Sequence, residues 1–444
     1  MDKMKWLICT LFLLVIFPAG ADAESKDILL HFQPYITLQE EYNSNIDLTP
    51  NRGKRDDYIT TITPGLKFST ATRSPVTGEF RPTPTAEERY GVDLDVRAGF
   101  NFYAKEEDYN YTSLHGTLNA WYAATPRLIF RVRDYVLRSD EIREAEYASP
   151  IEGGYLLSRT RKRTPYVRNV FEPSVQYQFG RENVISLNYR NNLYEIQGRT
   201  NEDSIENFIN PRITYWFDIR NGVSFEYGLT LGHFERSPDL TGHMAMGRYT
   251  HRFNPKTSLF GEYTQLWRNF DSPSVDYAVY RPSLGLEHAF NPTLSGRIQG
   301  GYYWKNPARG ATRGGPFYDV LVTQRAQKTT YALSLQGGYT EDYFSAENKG
   351  FTQYHRVLGR VNYQLLKKMN LGLFNSYEWA KLPGDVIGGR KETHHIWGIG
   401  GNGSYRLFHW LTLALEASHR ENHSNLDGND YSEYRGVLRV TATY

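Results

Sequence analysis

The chain has 444 residues, a net charge of +2, a mean hydropathy of −0.59 and 15% aromatic residues, with 34 tyrosines. So small a charge removes the bulk electrostatic support that nucleic-acid binding requires. Beyond the amino terminus nothing approaches the ~20 apolar residues of a membrane helix, and a polar mean with heavy aromatic loading instead suits a wall one residue thick between lipid and water.

At the amino terminus Lys3 and Lys5 precede an apolar run from Trp6 to Phe17, and Ala21-Asp22-Ala23 forms an A-x-A pattern. These are the three parts of a secretory signal peptide, so residues 1–23 are expected to be cleaved and the mature chain to begin at Glu24. Cys9, the only cysteine, lies at the start of the apolar run rather than its end. That argues against lipidation and leaves the mature chain without thiols, disulfides or cysteine-ligated metal.

From about residue 34 onward the period is two. Val92, Leu94, Val96, Ala98, Phe100 and Phe102 alternate with Gly91, Asp93, Asp95, Arg97, Gly99 and Asn101. Val223, Phe225, Tyr227, Leu229 and Leu231 alternate with Ser224, Glu226, Gly228 and Thr230. Such runs are strands with one apolar and one polar face. Short turns (124–127, 180–183, 218–221, 254–257, 291–293 and 367–370) contrast with longer charged connections (Leu137–Thr164, Asn306–Gly315, Pro383–Arg390). Short turns on one rim and long loops on the other are the asymmetry of outer-membrane barrels, with the short turns periplasmic. The expectation is an all-β fold, a transmembrane antiparallel up-and-down β-barrel of about 20 strands (18–22) that occupies residues 24–444. Alternation is poorest over 243–268 and 317–325. The Thr70–Arg89 connection, with Pro75, Pro82 and Pro84, is long although strand parity puts it on the periplasmic side; it reads as an insertion or as a loop that meets a partner. The last strand ends on the aromatic Tyr444, which suits recognition by the outer-membrane assembly machinery.

If apolar positions meet lipid, the lumen receives Arg97, Arg131, Arg133, Arg168, Arg190, Arg212, Arg297, Arg356, Arg360, Arg435 and Arg439 as candidate solute-binding residues. Arg248, Arg281, Arg406 and Arg420 face the same way, as do Asp93, Asp95, Glu172, Glu226, Glu287, Glu378 and Glu416. A basic interior lowers the barrier for anions, and the planar guanidinium suits carboxylate or phosphate. The same arginines can instead pair with the acids and brace a closed interior. Tyr103, Tyr135 and Tyr303 line the lumen and could stack on sugar rings; tyrosine as a class, with Tyr177, Tyr215, Tyr363 and Tyr405, fits interfacial girdles better.

Catalytic patterns do not assemble. His423-Ser424-Asn425 lacks the residue between His and Ser that would put both on one strand face, and Tyr263-Thr264-Gln265 lies far from it in the chain. His394 and His395 diverge to opposite faces, and the glycines of 398–403 lack a nucleotide loop's strand-turn-helix setting. No enzyme activity, cofactor or metal is expected.

The segment His31–Ile46, with Tyr42-Asn43-Ser44-Asn45, then Asp57 and Pro64-Gly65-Leu66, resembles the first strands of the putative β-barrel porin 2 family, and Arg133-Asp134-Tyr135 resembles its Asp-x-Tyr strand. The resemblance implies a porin-like outer-membrane barrel of a Gram-negative-type bacterium, associated with exopolysaccharide production and export, without catalytic residues. Expected partners are membrane lipid, the assembly machinery, and a polysaccharide or small anionic solute; nucleic acid is not expected. Three readings stay open: a channel for hydrophilic, anionic or saccharide solutes; the barrel of an exopolysaccharide secretion system with periplasmic partners; and a non-conducting structural or surface-binding barrel. Leu137–Thr164 is the expected constriction.

Overall fold

A computed structural model of the chain describes residues 32–70, 89–141, 163–198, 202–271, 275–344, 350–382, 391–426 and 428–444. Residues 1–23, Glu24, nearly all of Thr70–Arg89, most of Leu137–Thr164 and all of Pro383–Arg390 lie outside these, and so do the expectations placed on them.

Twenty strands follow one another: β1 (Phe32–Asn43), β2 (Asp57–Ser69), β3 (Tyr90–Tyr103), β4 (Tyr111–Thr125), β5 (Leu128–Ser139), β6 (Tyr166–Gln178), β7 (Val184–Ile196), β8 (Ser204–Trp216), β9 (Asn221–Phe234), β10 (Leu240–Asn254), β11 (Thr257–Phe270), β12 (Tyr277–Asn291), β13 (Leu294–Pro307), β14 (Arg313–Arg325), β15 (Thr329–Asp342), β16 (Gly350–Leu366), β17 (Met369–Leu382), β18 (Glu392–Arg406), β19 (Leu411–Ser424) and β20 (Tyr431–Thr443). Each pairs antiparallel with its sequence neighbours, and β1 pairs with β20 from Tyr35↔Thr443 to Asn43↔Arg435. The sheet therefore closes, and no strand edge is left to present unpaired backbone groups to lipid. This is the twenty-stranded up-and-down barrel that the alternation implied.

Facing follows from register, because cross-strand partners lie on the same side of a sheet. Arg97 pairs with Gly65 and His115, Arg133 with Glu172, Arg212 with Glu226, Arg356 with Glu378 and Arg435 with Ser418. Carried round all twenty strands, the assignment returns to its start without contradiction. Odd residues face inward on β1–β5, β12–β14 and β20, and even residues on β6–β11 and β15–β19. The outward positions hold large apolar side chains left bare, such as Ile36 (50% exposed), Leu373 (64%) and Leu415 (60%). At about 25 cal/mol per Å² of apolar surface, a continuous belt of this kind is stable against acyl chains and not against water. Tyr177, Tyr215, Tyr363 and Tyr405 all point outward near the short-turn rim, the position of an interfacial girdle.

Two details differ from expectation. The 306–315 connection is only residues 308–312, because β13 runs on to Pro307 and the ladder resumes at Arg313, where Gly314 and Gly315 pair with Trp304 and Tyr303. Glycines carry no side chain to alternate, so the strand could not be read through them. The register also skips at Pro64, Pro173, Pro211 and Pro282, all outward. A proline has no N–H to give to the ladder.

Candidate functional site

The eleven arginines proposed for the lumen all occupy inward positions, but most are held by neighbours on the wall. Arg133 meets Glu172 at 3.0 Å, Arg190 meets Glu206 at 2.7 Å and Arg212 lies 4.0 Å from Glu226. Arg297 meets Asp319 and Arg356 meets Glu378, each at 2.6 Å, while Arg435 meets Glu41 at 2.8 Å. Arg131 and Arg168 donate to the amides of Gln176 (3.0 Å) and Asn192 (3.2 Å). Glu262 sits between Arg248 (2.5 Å) and Arg281 (3.3 Å) and ties β10, β11 and β12 together. Glu41, Glu206, Glu262, Asp319 and Glu433 face inward too, and were not among the acids named from the sequence, so the excess of arginine over acid on the inner face narrows. Pairs between adjacent strands of this kind act as hoops. Among the described residues, Arg97, Arg360 and Arg439 make no ion pair.

One side of the interior is filled. Gly338 adopts φ +153, and beyond it β15 breaks its alternation. Ala332, Ser334 and Gln336 face inward by register, and past the glycine Tyr339 and Glu341 turn inward as well. The end of the β15–β16 hairpin thus bends over the barrel mouth and lies on the inner wall of β9–β13. Arg268 donates to Glu341 at 2.7 Å, and both side chains are 12% exposed. Tyr277 donates to the other Glu341 oxygen at 2.5 Å, and its hydroxyl lies 2.6 Å from that of Tyr343. Tyr339 packs on Tyr303 (4.9 Å between ring centroids) and stacks on Phe351 (5.0 Å), and Phe344 stacks on Phe234 (5.2 Å). Below these rings lie Leu266 and Val279, with Met244 and Phe317 against them. Strands β9 and β15 are six apart, about 29 Å along the wall at ~4.8 Å per strand, so the hairpin spans a large part of the opening.

Among the described residues the segment that narrows the lumen is the β15–β16 hairpin; most of Leu137–Thr164, the expected constriction, lies outside the described residues. The expectation for the lumenal tyrosines is corrected. Tyr103 and Tyr303 are inward but 3% and 2% exposed, so neither offers a face to a sugar. Tyr103 packs with Tyr109 and lies under the Arg163 guanidinium. Tyr135 alone of the three lines open space, edge-on to His115.

The opposite side remains open. A cavity of about 710 Å³ lies against β20 and β1–β5, lined by Tyr35, Lys67, Arg97, His115, Arg435 and Arg439 and by the carboxylates Glu41 and Glu141, among threonines, glutamines and an asparagine. Tyr35 donates to Asp95 at 2.8 Å and lies under the Lys67 ammonium, which is 3.8 Å from Asp95. Arg439 donates to Gln39 at 3.0 Å. The Tyr35 ring lies so close over Gly65 that a Cβ there would come within 2.3 Å of it, which is why a glycine follows Pro64. Two guanidiniums, Arg97 and Arg439, thus face water here without a carboxylate to neutralise them.

The amino-terminal motif proves structural. Asn43 donates to Glu433 at 2.8 Å, and Asn45 to the Ser432 carbonyl at 3.0 Å, so both clasp the β1–β20 seam. Asn45 also accepts from the Thr49 amide, which shapes the β1–β2 loop. Asp57 accepts from the amides of Lys105 and Glu106 at 3.0 and 2.9 Å, and Asp56 pairs with Lys105 at 2.6 Å. The Lys105 ammonium holds the Asp56 carboxyl below its usual range, and Asp56 raises Lys105. His423 and Ser424 point to opposite faces of β19. His394 is inward and buried against Glu392 (3.1 Å), while His395 faces out toward Tyr377 (2.8 Å).

Residues 228–444 match the family model described as putative beta-barrel porin 2, which bears out the resemblance read from the sequence. The match covers β10–β20 and the second half of β9, whereas the motifs that suggested it lie on β1, β2 and β5. No curated protein sequence matches the chain. Among solved structures it is similar to the siderophore receptor PirA from Pseudomonas aeruginosa (TM-score 0.50, 8% identity, 93% of this chain and 80% of that one). A ferric enterobactin receptor from the same organism gives TM-score 0.50 at 8% identity, over 93% of this chain and 81% of that one. OprD from Pseudomonas aeruginosa aligns at TM-score 0.39 and 10% identity, over 93% of this chain and 95% of that one. Fold and family point to a porin-like barrel of the Gram-negative outer membrane.

Proposed function

We propose that this chain is a channel for hydrophilic solutes whose path runs along the β20–β5 side of the lumen and prefers anions, acidic saccharides among them. The observation that carries the reading is the 710 Å³ cavity, where Arg97 and Arg439 face water with no carboxylate partner among the described residues. Arg133, Arg190, Arg212, Arg297 and Arg356 are neutralised by hoops of acid, whereas Arg97 and Arg439 stand together at one cavity, where low-dielectric walls focus their potential. Guanidinium groups bind carboxylate in a forked geometry, and the surrounding Thr37, Gln39, Thr61, Asn101 and Thr441 offer exchangeable hydrogen bonds to hydroxyls. In a planar bilayer under a salt gradient, the purified protein is expected to give a reversal potential of anionic sign. Substituting Arg97→Ala with Arg439→Ala should move that potential toward zero. Cation preference would overturn the reading.

A second reading, a non-conducting barrel, is favoured by the inturned hairpin and the acid–arginine hoops. It predicts no single-channel steps from the wild-type protein and steps only when the hairpin end is removed.

A further inference from the structure

The outer wall is mostly apolar at mid-height; outside β5–β8 its polar groups are scattered, such as Asn375 on β17 and the Glu40–Thr60 pair on β1–β2, whereas on β5–β8 four are gathered together. There, register places Asp134, Phe171, Asn191 and Asn207 side by side in one row on four consecutive strands, all facing outward. Asn169 stands one pair nearer the long-loop rim and donates to Asp134 at 2.6 Å. The row does not belong to the rim, because outward Val136, Val167, Leu193 and Ile205 lie between it and the strand ends. A carboxylate and three carboxamides therefore sit inside the band that should contact acyl chains. Polar groups facing lipid there have no water to bond, and membrane walls carry them only where something covers them.

The groups are only partly satisfied within the chain. Asn207 Oδ1 accepts from Tyr189 (2.6 Å) and from Asn191 (3.0 Å). Among the described residues, the Asn207 amide nitrogen and the Asn191 carbonyl oxygen have no partner. The patch thus shows an open donor and an open acceptor on neighbouring strands. Two of the outward prolines lie in the same region, Pro173 interrupting the β6–β7 ladder and Pro211 the β8–β9 ladder.

We propose that the outer face of β5–β8 is an interface with a second copy of this chain. A two-fold contact presents the same patch from both sides, so each Asn207 amide can donate to the partner's Asn191 carbonyl and the reverse. An acyl chain offers neither group, and a partner bearing only donors or only acceptors would leave one of them unmet. The inference is independent of what passes through the lumen.

The test uses the full chain in outer-membrane fractions, with Cys9→Ala so that the only thiol is the one introduced. Asn207→Cys treated with a short bis-maleimide should give a species of twice the chain's mass, and Leu373→Cys, exposed on the outer face of β17, should not. In mild detergent, Asn191→Leu with Asn207→Leu should convert the sedimenting dimer to monomer while the folded barrel keeps its heat-modifiable mobility. If the double variant does not fold, the cross-link decides. Equal yields from both positions, no cross-link from Asn207→Cys, or a product of another mass would overturn the proposal.

Discussion

The two halves of the lumen are built on the same ladder and differ in what their inward residues ask for. On β20 and β1–β5 the inward positions around the cavity are mostly polar, with Thr37, Gln39, Thr61, Thr63, Thr441 and two arginines without an ion pair. The apolar ones, such as Ile59, Tyr103 and Trp121, are buried in small clusters of their own, so the space is open. On β10–β14 they include Met244, Leu266, Val279 and Phe317, which water does not satisfy, and the β15–β16 hairpin lies over them. An apolar patch inside a wet barrel has to be covered, and here the chain covers it with its own aromatic residues, locked by Arg268–Glu341. One half carries the inturned hairpin and the other an open cavity.

Breaking the plug should have the largest effect. Arg268→Ala leaves the Glu341 carboxylate buried without its cation, which costs about 3–5 kcal/mol locally. Detachment of the hairpin should raise single-channel conductance; replacing both residues by leucine should restore much of the seat. An unchanged conductance in Arg268→Ala would mean that the hairpin does not limit flow. On the open side, Gly65→Val drives the Tyr35 ring from its place at about 1–3 kcal/mol of overpacking. The displaced ring should narrow the cavity and reduce current, and an increase would count against a path there. At the β1–β20 seam, within the open half, Asn43→Ala leaves Glu433 short of a donor at a cost of about 1–3 kcal/mol. A lower temperature for loss of the SDS-resistant fold, with unchanged ion selectivity, is the expected outcome. The smallest effect is on pH. The folded-state pKa of Asp56 is lowered by Lys105, so the stabilisation is complete above the ordinary carboxylate pKa and is lost as pH falls through the depressed one. Proteolytic nicking of the β1–β2 loop should therefore rise only in acid, and Lys105→Met should abolish the pH dependence.

Much of the barrel was legible because a lipid-facing wall imposes period two. Strand number, the outward tyrosines and the inward direction of the arginines follow from that rule alone. The failures also have a physical cause. Alternation was weakest at 243–268 and 317–325, where the inward Met244, Phe260, Leu266 and Phe317 are as apolar as their outward neighbours. A strand with lipid on one side and an aromatic plug on the other has two apolar faces, and its pattern resembles no half-wet strand. The plug itself depends on Phe344 meeting Phe234 and Glu341 meeting Arg268 across strands far apart in the chain, which local periodicity cannot report. Glu262, the residue that neutralises both Arg248 and Arg281, was missed because its role depends on register between three strands. The asparagine motif was noticed, but its purpose as a seam clasp needs the β20 partners Ser432 and Glu433.

The central claim is that solute moves along the β20–β5 side and not along β10–β14. Single cysteines at Thr37, on the open side, and at Gln299, on the inner face of β13, test it in a Cys9→Ala background. An anionic methanethiosulfonate added during a bilayer recording should block current through Thr37→Cys and leave Gln299→Cys unchanged. Block at Gln299→Cys with none at Thr37→Cys would contradict the account.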